Sequence, residues 1–224
     1  MSAGRPAAWL EANQRCLMAA VGLVAARVAV HAQHRAAAVA AAGAPDLAVD
    51  VTEALAAVRA AELELAATRA AMPSPAAIEV LCELARLSPF ERDVLLLCAG
   101  VELSAEVAQI CAAADGATDP RTASASFGLA LAALPGAHWS ALAPTAPLRR
   151  FRLVEVAGHD SLTRAPLRIE ERVLHHLTGI PCLDERLIGL VEPTEAPAGL
   201  PPSHDALARR LERLWAPPDD PAAA

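Results

Sequence analysis

The chain contains no lysine, and all 19 of its basic residues are arginines. A Walker A P-loop ends in Lys-Ser or Lys-Thr because the lysine ammonium reaches the β- and γ-phosphates of the nucleotide. Schiff-base catalysis and the protein-kinase fold also depend on a lysine amine. The sequence therefore excludes these three kinds of chemistry for the chain.

Aromatic residues are also scarce, at 3% of 224 residues, although hydrophobic residues make up 54%. Much of the apolar content is alanine, which favours closely packed helices over an aromatic-rich sheet core. The net charge is −7 and the isoelectric point is about 5.5. This overall charge gives no reason to expect binding to nucleic acid or to an anionic membrane.

The cysteines are odd in number, and no two of them form a CxxC pattern: Cys16, Cys82, Cys98, Cys111 and Cys182. This usage is typical of structural thiols in a reducing compartment, not of a disulfide framework or a zinc site. The apolar run 16–26 is too short to span a bilayer and continues into a helical pattern. We therefore expect a cytoplasmic protein without a membrane segment.

Residues 1–72 are predicted to form a helical hairpin. Apolar residues of the first helix recur three, four or seven apart, at Leu10, Leu17, Val21, Val24 and Val28. The segment 43–46 contains Gly and Pro and interrupts the pattern, and a second helix follows over 51–72. Two helices joined by a short turn pack antiparallel. Their seam leaves apolar surface that a further helix can cover.

Residues 76–192 are predicted to form a second domain. Helices are expected over 76–86, 88–100, 104–116 and 123–134. The second of these starts at Ser88-Pro89-Phe90-Glu91, which has the sequence of a capping box.

The segment 149–156 then alternates polar and apolar residues as a half-buried strand does. The segment 162–169 can return beside it, with Pro166 favouring an edge position. A helix over 170–178 follows, where Glu170-Glu171 would cap its start, and a short helix is predicted near 183–189. Several helices followed by a two-stranded hairpin have the order of a winged helix, so the predicted class is mainly α.

The end of the chain is predicted to contain a linker over 193–202, an amphipathic helix over 203–215 and a disordered tail over 216–224. Five arginines gather on the predicted hairpin, where they could form a wing that binds a partner: Arg149, Arg150, Arg152, Arg164 and Arg168. From 121 to 193 the eight arginines are nearly balanced by seven acids. The helix 123–134 also lacks the charged and amide side chains that read DNA bases.

Two pairs of histidines have side chains that can bind a metal. His31 and His34 are three apart on a helix, a spacing that can share a metal, but no further ligand is near them in sequence. His175 and His176 are adjacent and point in different directions on a helix. We expect no metal, no cofactor and no catalytic residue in this chain. A DNA-binding regulator and a hydrolase with an unrecognised site remain the alternatives.

An ordered series of segments resembles the N-terminal winged-helix region of the AAA+ ATPases that accompany bacterial extracellular contractile injection systems. The similarity is fairly specific over residues 88–193. In the residues before 88 it is a similarity of amino-acid composition only. The segments are SPFERDVLLL (88–97), FGLALAAL (127–134), HWSA (138–141), PLRRFRLVEV (147–156), PLRIEERVLHHLTG (166–179) and LDERLIGLVEP (183–193).

The resemblance implies an accessory region that positions an ATPase ring or recruits its client, a component of the contractile particle. ATP and Mg²⁺ would then belong to a nucleotide-binding domain that is missing from this chain, toward which the helix 203–215 would lead. No catalytic residue is carried over, because the Walker A, Walker B and arginine-finger segments have no counterpart here. The expected partner is a protein; we do not expect a nucleic acid or a membrane.

Overall fold

A computed structural model describes residues 7–43, 51–116, 123–158, 161–183, 187, 189–192 and 199–215. Residues 6–182 form one compact unit, and residues 1–5 and 183–224 are assigned to a second. The fold is mainly helical with a small antiparallel sheet, which confirms the predicted fold class. The predicted division of the chain at residues 72–76 stays a prediction.

The helices and strands of the larger unit follow one another in a simple order. They are α1 (Ala7–Gly43), α2 (Thr52–Ala70), α3 (Ala77–Ala85), α4 (Pro89–Leu103), α5 (Ala105–Asp115), β1 (Ala125–Ser126), α6 (Phe127–Ala133), α7 (Pro147–Arg150), β2 (Val154–Val156), β3 (Pro166–Ile169) and α8 (Glu171–Thr178). A 3₁₀ turn, Trp139–Leu142, lies between α6 and α7. The second unit contains α9 (Pro202–Trp215). The predicted helix near 183–189 and the tail 216–224 lie largely or wholly outside the described residues.

Helix α1 is the central element of the larger unit. Its 37 residues span about 55 Å at 1.5 Å per residue. It packs against α2 and also against α4 and α5, which cover the apolar surface that a two-helix hairpin leaves open. In length and composition α1 is sufficient to cross a membrane, but half of its apolar 18-residue window is buried within the protein, as in a core helix.

Asn13 connects α1 to the ends of two other helices. It is 1% exposed. Its side-chain oxygen accepts a hydrogen bond from the Ala77 amide at the start of α3, and its side-chain nitrogen donates to the Leu177 carbonyl near the end of α8, both at 2.8 Å. Terminal amides and carbonyls of helices have no partner within their own helix. One buried side chain thus satisfies both groups and fixes α3 and α8 on α1.

A buried carboxylate joins α1 to α4. The Asp93 side chain is 3% exposed and accepts hydrogen bonds from Arg27 on α1 at 2.7 Å and from Arg92 at 2.7 and 3.0 Å. Arg27 also lies 3.6 Å from Glu62 on α2, whose side chain is about half exposed. Folding buries the Asp93 carboxylate away from water, and the two arginines compensate its negative charge.

The start of α4 confirms the predicted capping box. The Ser88 hydroxyl accepts from the Glu91 amide, and the Glu91 carboxylate accepts from the Ser88 amide at 2.9 Å. The predicted end at Gly100 is wrong, because α4 continues to Leu103. A Cβ atom at Gly100 would lie 2.9 Å from Val21 and 3.0 Å from Val107. This glycine allows α1 and α5 to pack closely against α4.

The sheet has three strands in the order β1-β3-β2, whereas the sequence predicted two. The helix expected over 123–134 begins only at Phe127, because Ala125–Ser126 pairs with β3. Strand β3 is therefore central, and the edge position predicted for Pro166 is wrong. Pro166 is tolerated as the first residue of its strand, where its carbonyl accepts from the Ala157 amide at 2.8 Å.

The strand predicted over 149–156 is also shorter than expected. Pro147 starts a single helical turn, α7, and only Val154–Val156 pairs with β3. The alternation that indicated a strand comes from the side chains of this turn and of the connection that follows it. Strand β3 shows the expected alternation, with Leu167 and Ile169 buried and Arg168 exposed.

The close approach of Gly179 to α1 generates a stability prediction. Gly179 has φ +82°, and a Cβ there would lie 2.8 Å from Leu10 and 3.0 Å from Trp9. We expect Gly179→Ala to lower the free energy of unfolding by about 2–4 kcal/mol, from left-handed strain plus overpacking. Gly136→Ala is the control, since Gly136 also has positive φ but open space around it. Urea denaturation measures both; equal losses would contradict the packing role.

The buried carboxylate generates a second prediction. Asp93→Ala leaves two part-buried arginines without their counter-charge, and we expect a loss of about 3 kcal/mol. Glu62→Ala removes only the exposed partner of Arg27, and we expect a loss below about 1 kcal/mol. Thermal unfolding followed by circular dichroism compares the two variants. A cost for Glu62→Ala as large as that for Asp93→Ala would contradict this account.

Candidate functional site

The predicted wing arginines lie in four different parts of the fold. Arg149 and Arg150 lie on α7, and Arg152 lies in the turn that follows it. Only Arg164, in the β2–β3 connection, and Arg168, on β3, belong to the hairpin itself. The prediction that all five share the hairpin is therefore wrong, because α7 replaces the first half of the predicted strand.

One of these arginines is hydrogen-bonded within the protein, and another lies opposite an acidic residue in the sheet. The Arg149 guanidinium donates to the Leu142 carbonyl at 2.8 Å and so holds the 3₁₀ turn against α7. Arg168 stands directly opposite Glu155 in the β2–β3 register, where opposite charges stabilise the strand pair. Arg150, Arg152 and Arg164 are exposed. The Arg150 guanidinium lies 5.4 Å from the ring centroid of Phe151.

Two exposed arginines adopt a backbone conformation that glycine prefers. Among the described residues, Arg86 (φ 53°) and Arg152 (φ 52°) are the non-glycine residues with positive φ. Each follows a helix, α3 or α7. In both cases the arginine and the next residue close a Schellman motif, in which the Leu87 and Leu153 amides donate to carbonyls five residues back, both at 2.9 Å. Arginine thus occupies two positions where glycine would be less strained.

A groove of about 480 Å³ lies between the α3–α4 junction and the segment that links the 3₁₀ turn to α7. It is lined by Arg86, Leu87, Ser88, Glu91, His138, Ser140, Ala143, Thr145, Ala146 and Pro147. Leu87, Ala143, Ala146 and Pro147 form an apolar wall, and the hydroxyl and imidazole groups form a polar one. The sequence could not indicate this groove, since its two sides are about 50 residues apart.

The polar wall of the groove is a continuous hydrogen-bonded chain. The Ser88 hydroxyl lies 3.0 Å from His138 Nε2 and 2.8 Å from Glu91 Oε2, and His138 Nδ1 lies 2.8 Å from the Ser140 hydroxyl. A serine beside a histidine is the geometry of an activated nucleophile. Here the Ser88 hydroxyl donates to the Glu91 carboxylate and accepts from the Glu91 amide. The arrangement therefore works as a helix cap that His138 connects to the 3₁₀ turn.

The predicted histidine pairs meet no metal-binding arrangement in the part of the chain that the structure describes, where no three His, Cys, Asp or Glu side chains are grouped to hold an ion. Sequence reasoning missed Asp115, which folding brings near His31. Burial raises the pKa of the Asp115 carboxyl, and Arg35 and His31 oppose that shift. His175 lies 3.5 Å from Glu171, one turn away on α8.

The buried cysteines are held as thiols by their surroundings. Cys16, Cys98 and Cys111 are buried, Cys82 is half-buried and Cys182 is exposed. Burial raises the pKa of the Cys82 thiol to about 11, and burial together with Asp115 raises that of Cys111 to about 12. Burial also raises the pKa of the Cys98 thiol. Because the thiolate is the reactive form of cysteine, Cys82, Cys98 and Cys111 have low reactivity and serve as apolar packing groups.

The helix that precedes the β2–β3 hairpin is α7, and not the segment 123–134 that the sequence indicated. In a helix-turn-helix the second helix enters the DNA major groove. The four residues of α7 extend only about 6 Å. The Arg149 guanidinium on this helix is hydrogen-bonded to the Leu142 carbonyl and so is turned toward the protein's own backbone. The geometry gives this helix little surface for reading bases.

The comparisons with known proteins give one match. The sequence matches the family described as winged helix domain, variant, over residues 8–191. No curated protein and no solved structure matches the chain. The match includes the groove, all five wing arginines and all but the first residue of helix α1, and it covers most of the chain. The chain therefore belongs to the variant winged helix domain family.

Proposed function

We propose that this chain is a non-catalytic protein-interaction region that works with an AAA+ ATPase of a contractile injection system, in the bacterial cytoplasm. The ordered similarity over 88–193 carries the proposal, and the winged-helix family match is compatible with it. In this function the chain positions the ATPase ring or recruits a component of the contractile particle. ATP and Mg²⁺ would bind to the ATPase and not to this chain.

The chemistry of the described residues supports a binding role. The chain lacks the lysine of a P-loop, and the Ser88 hydroxyl, which lies beside His138, is engaged in capping α4. Burial keeps the thiols of Cys98 and Cys111 protonated at neutral pH. Ser88, Cys98 and Cys111 thus have structural tasks.

The second unit supports the proposed connection to an ATPase. Helix α9 is amphipathic, with Leu207 and Leu211 exposed one turn apart. Arg209 and Asp205 form an ion pair on its polar side. An exposed apolar stripe of this kind suits packing against a neighbouring domain. We propose that α9 leads toward the nucleotide-binding domain.

A DNA-binding regulator is the second candidate, and one observation favours it. Arg149 and Arg150 lie on the helix before the hairpin, and Arg164 lies in the connection that forms the wing. Three observations count against it: the shortness of α7, the hydrogen bond of Arg149 to the Leu142 carbonyl, and the net charge of −7.

Three binding measurements on the full chain test the proposal. A fluorescent ATP analogue should show no saturable binding. Size-exclusion chromatography with light scattering should show a stable complex with the AAA+ ATPase encoded with the contractile particle, or with a purified particle protein. A 20-base-pair duplex at 50 and 150 mM salt should show no binding that depends on Arg150 and Arg152.

Each failure has its own meaning. ATP hydrolysis by the purified chain would overturn the non-catalytic assignment. Duplex binding that falls steeply with salt and is lost in Arg150→Ala/Arg152→Ala would establish the DNA-binding alternative. A chain that binds neither ATPase nor particle protein would remove the injection-system role.

A further inference from the structure

We propose that the groove and the residues beside it are a docking site for an acidic, apolar-anchored segment of a partner protein. We call this region the groove surface; it comprises the groove lining together with Trp139, Arg150, Phe151 and Arg152. The proposal rests on the interaction role proposed above and names the site and the chemistry of its partner.

The groove surface exposes aromatic side chains in a chain that has few. Trp9, Phe90 and Phe127 are buried in the core, whereas Trp139 is 71% exposed and Phe151 is 47% exposed. Trp139 stands between His138 and Ser140, which both line the groove. Phe151 follows the lining residue Pro147 by one turn of α7, and its amide donates to the Pro147 carbonyl at 3.0 Å. Tryptophan and arginine are the residues that dominate the binding energy of protein interfaces.

Backbone strain marks the same region. The two positive-φ arginines both belong to the groove surface: Arg86 lines the groove, and Arg152 follows Phe151. Both side chains are exposed, and neither forms an ion pair within the described residues. Residues in strained backbone conformations cluster at binding and catalytic sites. The fold alone would be served better by glycine at both positions.

The charge distribution indicates an acidic partner. The sequence has no Asp or Glu from residue 120 to 154, a stretch that contains Arg149, Arg150 and Arg152, although the whole chain carries −7. The acid that lines the groove, Glu91, is 5% exposed and is bonded to the Ser88 amide and hydroxyl. An acidic segment is thus repelled by most of the chain and attracted to this surface.

The shape of the groove favours a peptide over a duplex. About 480 Å³ accommodates a few side chains, and the apolar wall offers them hydrophobic contact. Arg86 lines the groove, and Arg150 and Arg152 lie at the end of α7 and just after it, so arginines are available to the carboxylates of a bound segment. A single-stranded nucleic acid can also stack on exposed aromatic rings, so it is included in the test as a competing outcome.

The experiment starts from a random 12-residue peptide library displayed on phage and selected against the full chain. We expect the selected peptides to be enriched in Asp or Glu beside a large apolar residue. Fluorescence anisotropy then compares a selected peptide, the same peptide with Lys in place of its acids, and a 12-nucleotide oligothymidylate. We expect the Lys peptide and the oligonucleotide to bind at least about tenfold more weakly.

Matched variants locate the site. Trp139→Ala should weaken peptide binding by about tenfold or more, whereas Leu63→Ala, at a comparably exposed leucine on α2, should leave it unchanged. Arg86→Gly/Arg152→Gly should also weaken binding while the melting temperature stays equal or rises, which separates a binding role from a structural one. Arg59→Ala on α2 is the control for loss of charge.

The outcomes also separate this proposal from the broader function. If the ATPase or particle protein binds the chain and the groove variants equally well, the interaction role stands and the groove surface is not its site. Selected peptides that are basic, or that bind the variants unchanged, would overturn the acidic partner. Tighter binding of oligothymidylate than of the peptide would assign the surface to nucleic acid.

Discussion

Burial of α1 against α2, α4 and α5 organises the larger unit. From Cys16 to Val28 most side chains of α1 are buried, which requires apolar partners in several directions. Alanine and glycine at the contacts allow the helices to approach closely, as at Gly100. A chain with few aromatic residues thus builds its core from many small contacts instead of a few large ones.

Polar groups set the geometry within this apolar packing. Asn13 fixes the start of α3 and the end of α8, and Asp93 ties α4 to α1 through Arg27. Because α3 leads directly into α4 and α8 follows β3, these contacts also place the sheet and the groove. The short elements α7 and β1 therefore lie on a frame that longer helices hold. A four-residue helix and a two-residue strand would have little stability without it.

Features that depend on residues close in sequence were predicted well. Pairings between residues distant in sequence were not predicted. The capping box at Ser88 and Glu91 depends on residues three apart, and both the sequence and the structure have it. Strand β1 pairs with residues about 40 positions away. Its own two residues contain no pattern that predicts a strand. The alternation over 149–156 could not be told from a single helical turn followed by a bend.

The candidate site was predictable only in part for the same reason. The sequence drew attention to the wing arginines, but it could not show that Arg149 is bonded to the Leu142 carbonyl or that Arg168 faces Glu155. Ser88 and His138 meet across 50 residues. Positive φ at Arg86 and Arg152 has no signature in the sequence, since glycine is the residue that normally indicates it.

The central claim is that α1 and the sheet belong to one cooperative unit, and native-state hydrogen exchange of the full chain tests it most directly. Amides of α1 near Val21 and Val24 and amides of β3 near Leu167 are compared under mild denaturant. The account predicts that both sets exchange only through global unfolding, with the same free energy of opening. Exchange of α1 and α2 at a clearly lower free energy than β3 would show that the two helices open independently, and would contradict the account.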